Sequence, residues 1–433
     1  MNSWLQGSED ALAEARADAA RRPLASIDPN NAAWFAAGVT GPYFERLRRD
    51  APVHYTADSA DGPFWSITRH ADVRTVETDH ARFSSDSKLG GVLINGVSHP
   101  GALPMFIAMD PPLHSLRRRT VSPAFSSGRL QAMAAQIRAG AGHILDALPV
   151  DEVFDWATIA APDLAAMTLA TLFDFPQDQR PLLTRWAAAA TSLPSGGGSF
   201  DEGLRWASGM RECIALFDAL WRERAAEAPR DDLISMLAHG PATRDMPLVE
   251  LQGNVVLLIV GGHDTTRDTL SGSIVALSGQ PAQFARLRAD RALLPAMIEE
   301  AIRWQTPLAH MRRTATEDVE LHGSRIARGD KVVLWYVSAN RDETVIADPD
   351  MFRIDRPDAG RHLSFGHGIH RCLGGRFAEM ALQIIWEEML DRFETIEVVD
   401  RPVRFASVFN NGYQHLPVRL RRLPAGGYRQ ARP

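Results

Sequence analysis

Cysteine is scarce in this sequence: only Cys213 and Cys372 occur in 433 residues. Two thiols exclude a disulfide framework and a structural zinc site built on several thiolates. They also exclude a four-cysteine iron–sulfur cluster within the chain. Any essential cysteine acts as a single thiolate. A basic excess is missing too, since 47 Lys and Arg stand against 53 Asp and Glu, a net charge of −6. Nucleic-acid binders usually show the opposite balance, so global charge gives that class no support. No run reaches the ~18–20 apolar residues of a membrane helix. The most apolar stretch, Val255–Val260, breaks off at Gly-Gly-His-Asp. The first residues, MNSWLQGSED, lack the basic stretch and apolar core of a signal peptide, and Ala11–Arg22 is too acidic for an organellar transit peptide. The expectation is a soluble, cytoplasmic protein. Repeats and long Pro/Gly/Ser linkers are absent, so one domain is expected over residues 1–433.

What is present is globular: 45% hydrophobic and 23% charged residues. Ala, Leu, Arg and Glu recur at helical spacing over Arg129–Leu148, Asp201–Ala228, Leu248–Leu277 and Leu293–Trp304. Ala11–Arg22 reads as a solvated helix. Strand-like stretches are short: Pro63–Thr68, Lys331–Val337, and Thr316–Leu321 before a His322-Gly323 turn. The fold class is therefore mostly α with a small β portion. Ser195–Ser199 (SGGGS) reads as a surface loop between helices, with a mobile lid as the functional reading.

The densest constellation is His362–Ala378, HLSFGHGIHRCLGGRFA. Four glycines crowd around Cys372, as where backbone must bend unusually or approach something bulky. A helical stripe follows, so the cysteine sits near a helix start, where the dipole favours a thiolate. Three readings compete. One is a buried structural cysteine. Another is a metal site from His367, His370 and Cys372, whose spacing is cramped for a tetrahedron. The third is an axial thiolate on haem iron.

Phe365-Gly366-x-Gly368-x-His370-x-Cys372-x-Gly374 resembles the haem-binding loop of the cytochrome P450 family. Other segments follow in the family's order. Glu300-x-x-Arg303 with Arg356 resembles its buried carboxylate–arginine network. Gly261-Gly-His-Asp264-Thr265-Thr266 resembles its oxygen-activation motif. Asp110-Pro-Pro-Leu-His114-x3-Arg118-Arg119 resembles the helix that holds a haem propionate. The resemblance runs from Tyr43 to Leu420 and implies the P450 fold, with haem b (iron protoporphyrin IX) and Cys372 as its thiolate ligand. It places Phe365, Gly366 and Gly374 around that ligand. It assigns the propionates to His114, Arg118, Arg313 and His370. Asp264 and Thr265 become an acid–alcohol proton relay, with a local opening of the helix at the paired glycines. Arg267 is the partner that would make Asp264 merely structural.

The presumed pocket is apolar: Leu257, Val260 and Gly261 precede the relay, and Leu308, Ala309 and Phe409 join them. Such a pocket suits a hydrophobic substrate. Leu169–Pro176, Leu257–Arg267, Arg303–Ala315 and Trp335–Glu343 look like the bacterial branch that hydroxylates terminal carbons of medium-chain alkanes and fatty acids. Terpene, aromatic or alicyclic substrates remain the alternative. His263, Glu379 and the polar run Phe409-Asn410-Asn411 depart from the commoner pattern. With no reductase module fused, the resemblance implies electrons from a separate 2Fe–2S ferredoxin and its NAD(P)H ferredoxin reductase. Arg117–Arg119, Arg371 and Arg376 could dock that acidic partner. A peroxygenase, a haem-thiolate sensor and a scaffold without haem are the competing classes.

Overall fold

The computed structural model describes residues 3–96, 104–191 and 200–424, with backbone only for 3–7 and 200–208. The periodic stretches fold as helices Ser3–Arg21, Ser127–Asp146, Phe200–Ala226, Leu248–Ser278 and Leu294–Gln305. Ser195–Ser199 lies outside the described residues. Among the described residues no helix is long and apolar enough to cross a membrane.

Helix Leu248–Ser278 is the axis of the molecule. Its 31 residues span ~46 Å at 1.5 Å per residue. Against it packs Ala160–Phe173, in which every residue except Asp163 is buried. A helix apolar all round must be enclosed on all sides. Their shared core draws in Ser127–Asp146 and Gly375–Leu390.

The β portion binds the two ends of the chain together. A five-stranded sheet runs Val53–Thr56, Phe64–Ile67, Lys331–Trp335, His310–Ala315, Phe83–Ser84. Phe64–Ile67 and Lys331–Trp335 pair in parallel, joining segments more than 260 residues apart. A three-stranded sheet joins Val153–Asp155, Pro417–Arg422 and Phe393–Val398 in that order. All three expected strands are shorter than the pattern predicts, Pro63–Thr68 by one residue at each end. Lys331–Val337 ends at Trp335, and Tyr336–Ala339 turns into a helix with all four residues buried. Only Val319–Leu321 of Thr316–Leu321 is strand, paired with Ser324–Ile326 around His322-Gly323.

His310, at the start of its strand, is fully buried between Trp335 and Phe409. Its Nδ1–H donates to the Val408 carbonyl at 2.9 Å. Burial pushes its pKa down to about 4, against ~6.5 in an unfolded chain. The folded state thus refuses a proton that the unfolded state takes. Stability present above pH ~6.5 is lost as the pH falls towards 4, by on the order of 3 kcal/mol. Unfolding free energies measured from pH 7.5 to 4.5 should fall less steeply in His310→Gln. Identical slopes would remove His310 from the acid response.

Candidate functional site

The two thiols have different surroundings. Cys213 is buried in the main core, where burial pushes its pKa up to about 12. Cys372 keeps accessible surface although protein encloses it, so that surface faces inward. Its N–H donates to the Phe365 carbonyl at 2.7 Å, closing the loop. Helix His70–Thr78 lies against this loop. Gly368 has φ +66°, and a Cβ there would stand 2.3 Å from the Glu77 carbonyl oxygen, so a side chain would push loop and helix apart. One expectation needs correcting. Burial raises the Cys372 thiol, and the Gly374 N–H, Arg118 and Arg371 only partly oppose it. The nearby helix start is not enough to hold a thiolate; a bound metal cation would be.

Beside the loop, donors outnumber acceptors. His114 is buried with neither ring nitrogen partnered, and His370 Nε2 is in the same condition. The two rings lie 4.3 Å apart. Burial, with Arg118 nearby, pushes His114 down to about 4. Burial, then Arg313, His114 and Arg118, push His370 down to about 2. Arg118 donates to the Arg371 carbonyl, and Arg313 to the Arg312 carbonyl at 2.8 Å. Two guanidiniums and two imidazoles therefore converge, and a pair of carboxylates would satisfy them. The sequence reading missed Glu77. Its carboxylate, 3.3 Å from Arg313 and bonded by the Tyr336 hydroxyl, holds that arginine from behind.

Helix Leu248–Ser278 runs unbroken through Gly261–Thr266, so the expected local opening is not present. Room comes from Gly261 itself. It is exposed in the middle of a buried helix, and a Cβ built there would meet nothing within 4 Å. Thr265 faces the same side and donates to the Gly261 carbonyl at 2.7 Å. Asp264 faces away, because successive helix residues point ~100° apart. Its Oδ1 meets His263 Nδ1 at 2.9 Å and Arg267 at 3.0 Å. The two relay residues are therefore neighbours whose side chains do not touch. Burial works to raise the Asp264 carboxyl, but His263 and Arg267 outweigh it and hold it below the usual range. A carboxylate only accepts, so Nδ1 carries the imidazole proton and Nε2 takes the Thr184 hydroxyl at 3.2 Å. That chain links half-buried Thr184 to buried Asp264.

Leu257, one turn before Gly261, lies on the same open side of the helix. Leu257, Val260, Leu308 and Phe409 are each only half-buried, and none belongs to a core cluster. Their neighbours Val256 and Leu258 pack into the core. Ala309 is a correction: it is fully buried in a core cluster with Trp335 and Val408 and has no exposed surface to offer a substrate.

Glu300, Arg303 and Arg356 form one buried unit. Arg303 binds both Glu300 oxygens at 2.6 and 2.8 Å, and Arg356 approaches at 3.0 Å. Glu300→Ala would leave two buried guanidiniums without an anion, a loss of ~3–5 kcal/mol. Thermal unfolding should register it as a sharply lower midpoint, and a shift worth under ~1 kcal/mol would deny the unit its structural weight. Among the described residues no group of three or more His, Cys, Asp and Glu is placed to hold a metal ion, so the cramped His367–His370–Cys372 site is not formed. Arg117 also leaves the docking set: it is tied to Glu250 at 2.9 Å and mostly buried.

Known proteins resemble this chain in sequence and fold. The family model described as Cytochrome P450 matches residues 210–407. Linalool 8-monooxygenase of Pseudomonas putida is 35% identical, over 91% of this chain and 98% of its own. A methyl-branched lipid omega-hydroxylase of Mycobacterium tuberculosis is 30% identical over 92% and 95%. The solved structure of Cytochrome P450-153 from Novosphingobium aromaticivorans superposes with a TM-score of 0.85 at 42% identity, covering 91% of this chain and 99% of that one. The family uses haem b with a cysteine thiolate ligand, and the inward-facing Cys372 and the donor cluster beside it suit such a group. The chain belongs to the cytochrome P450 family, as a monooxygenase of hydrophobic substrates close to the P450-153 branch.

Proposed function

We propose that the enzyme hydroxylates the terminal carbon of medium-chain alkanes or fatty acids, within a single domain spanning residues 1–433. The observation that carries this reading is that Leu257, Val260, Leu308 and Phe409 are only half-buried and left out of every core cluster, with Leu257 on the open side of Gly261. An aliphatic chain fills such a space by contact area alone. The 42% identity to Cytochrome P450-153 supports it. Terpene oxidation is the second reading, favoured by the 35% identity to linalool 8-monooxygenase.

Cys372 would ligate the haem, with Phe365, Gly366 and Gly374 shaping its loop. His114, Arg118, Arg313 and His370 would hold the propionates. Bound there, haem supplies one-electron chemistry and dioxygen activation. The balance is RH + O2 + 2 electrons + 2 protons giving ROH + H2O, so the chain must bring protons inward. Thr184, His263 and Asp264 form the route: a proton arriving at His263 Nε2 lets Nδ1–H pass to the Asp264 carboxylate. Thr265 Oγ, on the open side, receives it through rotation of Asp264 or through water. Apolar side chains such as Leu257 on that side keep bulk water from the reacting carbon.

Electrons come, in this reading, from a 2Fe–2S ferredoxin and its NAD(P)H reductase. Exposed Arg119, Arg371 and Arg376, with half-buried Arg118, form the basic face near Cys372 that an acidic ferredoxin would meet. The test is a spectral titration with n-octane, decanoic acid, linalool and camphor, followed by product analysis with ferredoxin and reductase. The expected outcome is a low- to high-spin shift and a terminal alcohol from the linear chains. Turnover of camphor alone would overturn the aliphatic reading, and full activity from H2O2 without ferredoxin would favour the peroxygenase.

A further inference from the structure

The polar run Phe409-Asn410-Asn411 does not fit an all-apolar pocket, and the structure splits it. Asn411 is a brace: its amide donates to the Gln305 and Thr306 carbonyls, while Gln305 donates back to the Asn411 carbonyl. Asn410 braces nothing. Its Oδ1 is buried without a partner, and among the described residues no side-chain hydrogen bond holds its amide.

Its direction follows from the pairing. Leu308 and Asn410 form an antiparallel bridge. The flanking bonds run from Ala309 N–H to the Phe409 carbonyl and from Asn411 N–H to the Pro307 carbonyl, both at 2.9 Å. Leu308 and Asn410 are thus a directly opposed, non-hydrogen-bonded pair, whose side chains lie side by side on one face. Leu308 is half-buried and outside every core cluster. Asn410 therefore shares the face of Leu308, the residue that the aliphatic reading sets against the substrate. Helix Leu248–Ser278 is adjacent, since a Cβ on Gly412 would lie 2.2 Å from Asp268 Cγ.

We propose that Asn410 is a specificity-determining residue that hydrogen-bonds a hydroxyl on the substrate, remote from the carbon that is oxidised. The inference rests on the aliphatic reading above and extends it to aliphatic chains that already carry a hydroxyl. A carboxamide offers one acceptor and two donors and carries no charge, which matches an alcohol. A carboxylate would want a cation, and the arginines on these segments are committed. Arg312 is held by the Leu89 and Gly96 carbonyls, and Arg404 by Asn411 and Tyr413. An unpaired buried amide penalises a ligand that brings no partner, so a site of this kind discriminates against the bare hydrocarbon.

The test is a matched-pair titration of the haem-loaded enzyme, read by the Soret shift and by calorimetry. Linear alkanes of eight to twelve carbons are compared with the 1-alkanols of the same lengths, in the parent, in Asn410→Leu and in Asn410→Thr. The parent should bind at least one alkanol about tenfold more tightly than its alkane. Asn410→Leu, similar in size, should abolish that preference while binding the alkane as well or better, and Asn410→Thr should restore part of it. The carbon monoxide spectrum and unfolding midpoint report that each variant is folded and loaded. An alkanol preference that is absent in the parent, or unchanged in Asn410→Leu, overturns the proposal and leaves the aliphatic reading standing. Failure of every linear ligand to bind the parent overturns both.

Discussion

Cys372→Ser is expected to abolish the strongly red-shifted Soret band of the reduced carbon monoxide complex, and turnover with it. As the residue that would hold the haem, Cys372 would lend it the thiolate electron density that gives that band, and a serine hydroxyl is not its equal. Loop geometry should survive, because its closing bond uses the Cys372 backbone N–H and the Phe365 carbonyl. The loss is then attributable to sulfur. Cys213 cannot stand in, since it is fully buried in the core. Cys213→Ala should keep the spectrum. A red-shifted band surviving in Cys372→Ser would mean that another residue is the ligand.

Thr265→Ala and Asp264→Asn are expected to fail in different ways. Thr265 presents its hydroxyl on the open side of the helix, while Asp264 lies behind it with His263 and Arg267. Removing the hydroxyl should leave electron flow intact but divert it to H2O2, so product per NADH collapses. Asp264→Asn should slow oxygen consumption itself by ~10²-fold or more, the usual scale for a lost acid–base group, with a larger solvent isotope effect. Arg267 keeps Asp268 as its partner at 2.8 and 3.1 Å, so the second variant need not unfold the helix. The measurement is product formed against NADH consumed, with peroxide assayed in parallel. If Thr265→Ala couples as well as the parent, the Gly261–Thr266 segment is a packing feature and the relay is wrong.

Local signals in the sequence were legible where chemistry is packed into a short motif. The loop from Phe365 to Gly374 announces its cysteine, and Glu300 with Arg303 share one helix face by spacing alone. What stayed hidden depends on distant segments. Glu77 meets Arg313 and Tyr336 across more than 230 residues, and Thr184 reaches His263 from another helix. No spacing encodes those contacts. Arg117 looked like its neighbours until Glu250 claimed it. Ala309 lies on the expected segment, but it is fully buried in a core cluster with Trp335 and Val408. Tyr336 and Val337 continue a β-like run, yet tertiary burial makes them helical.

The stretch from Arg341 to Arg356 contains neither helix nor strand. Arg303 donates to the Asn340 and Pro349 carbonyls at 2.9 Å, and Arg356 to the Asp348 and Met351 carbonyls at 3.1 and 2.6 Å. Asn340 in turn fixes Ser364 at 2.8 Å, eight residues before Cys372. Surface loops ordinarily absorb insertions and deletions. This one is measured off, carbonyl by carbonyl, against two rigid guanidinium forks. One residue added or removed between Asp348 and Arg356 would slide each carbonyl past its donor and carry the error to Ser364. Its length is therefore as tightly constrained as that of a core helix, while side chains pointing outward, such as exposed Met351, are free to vary.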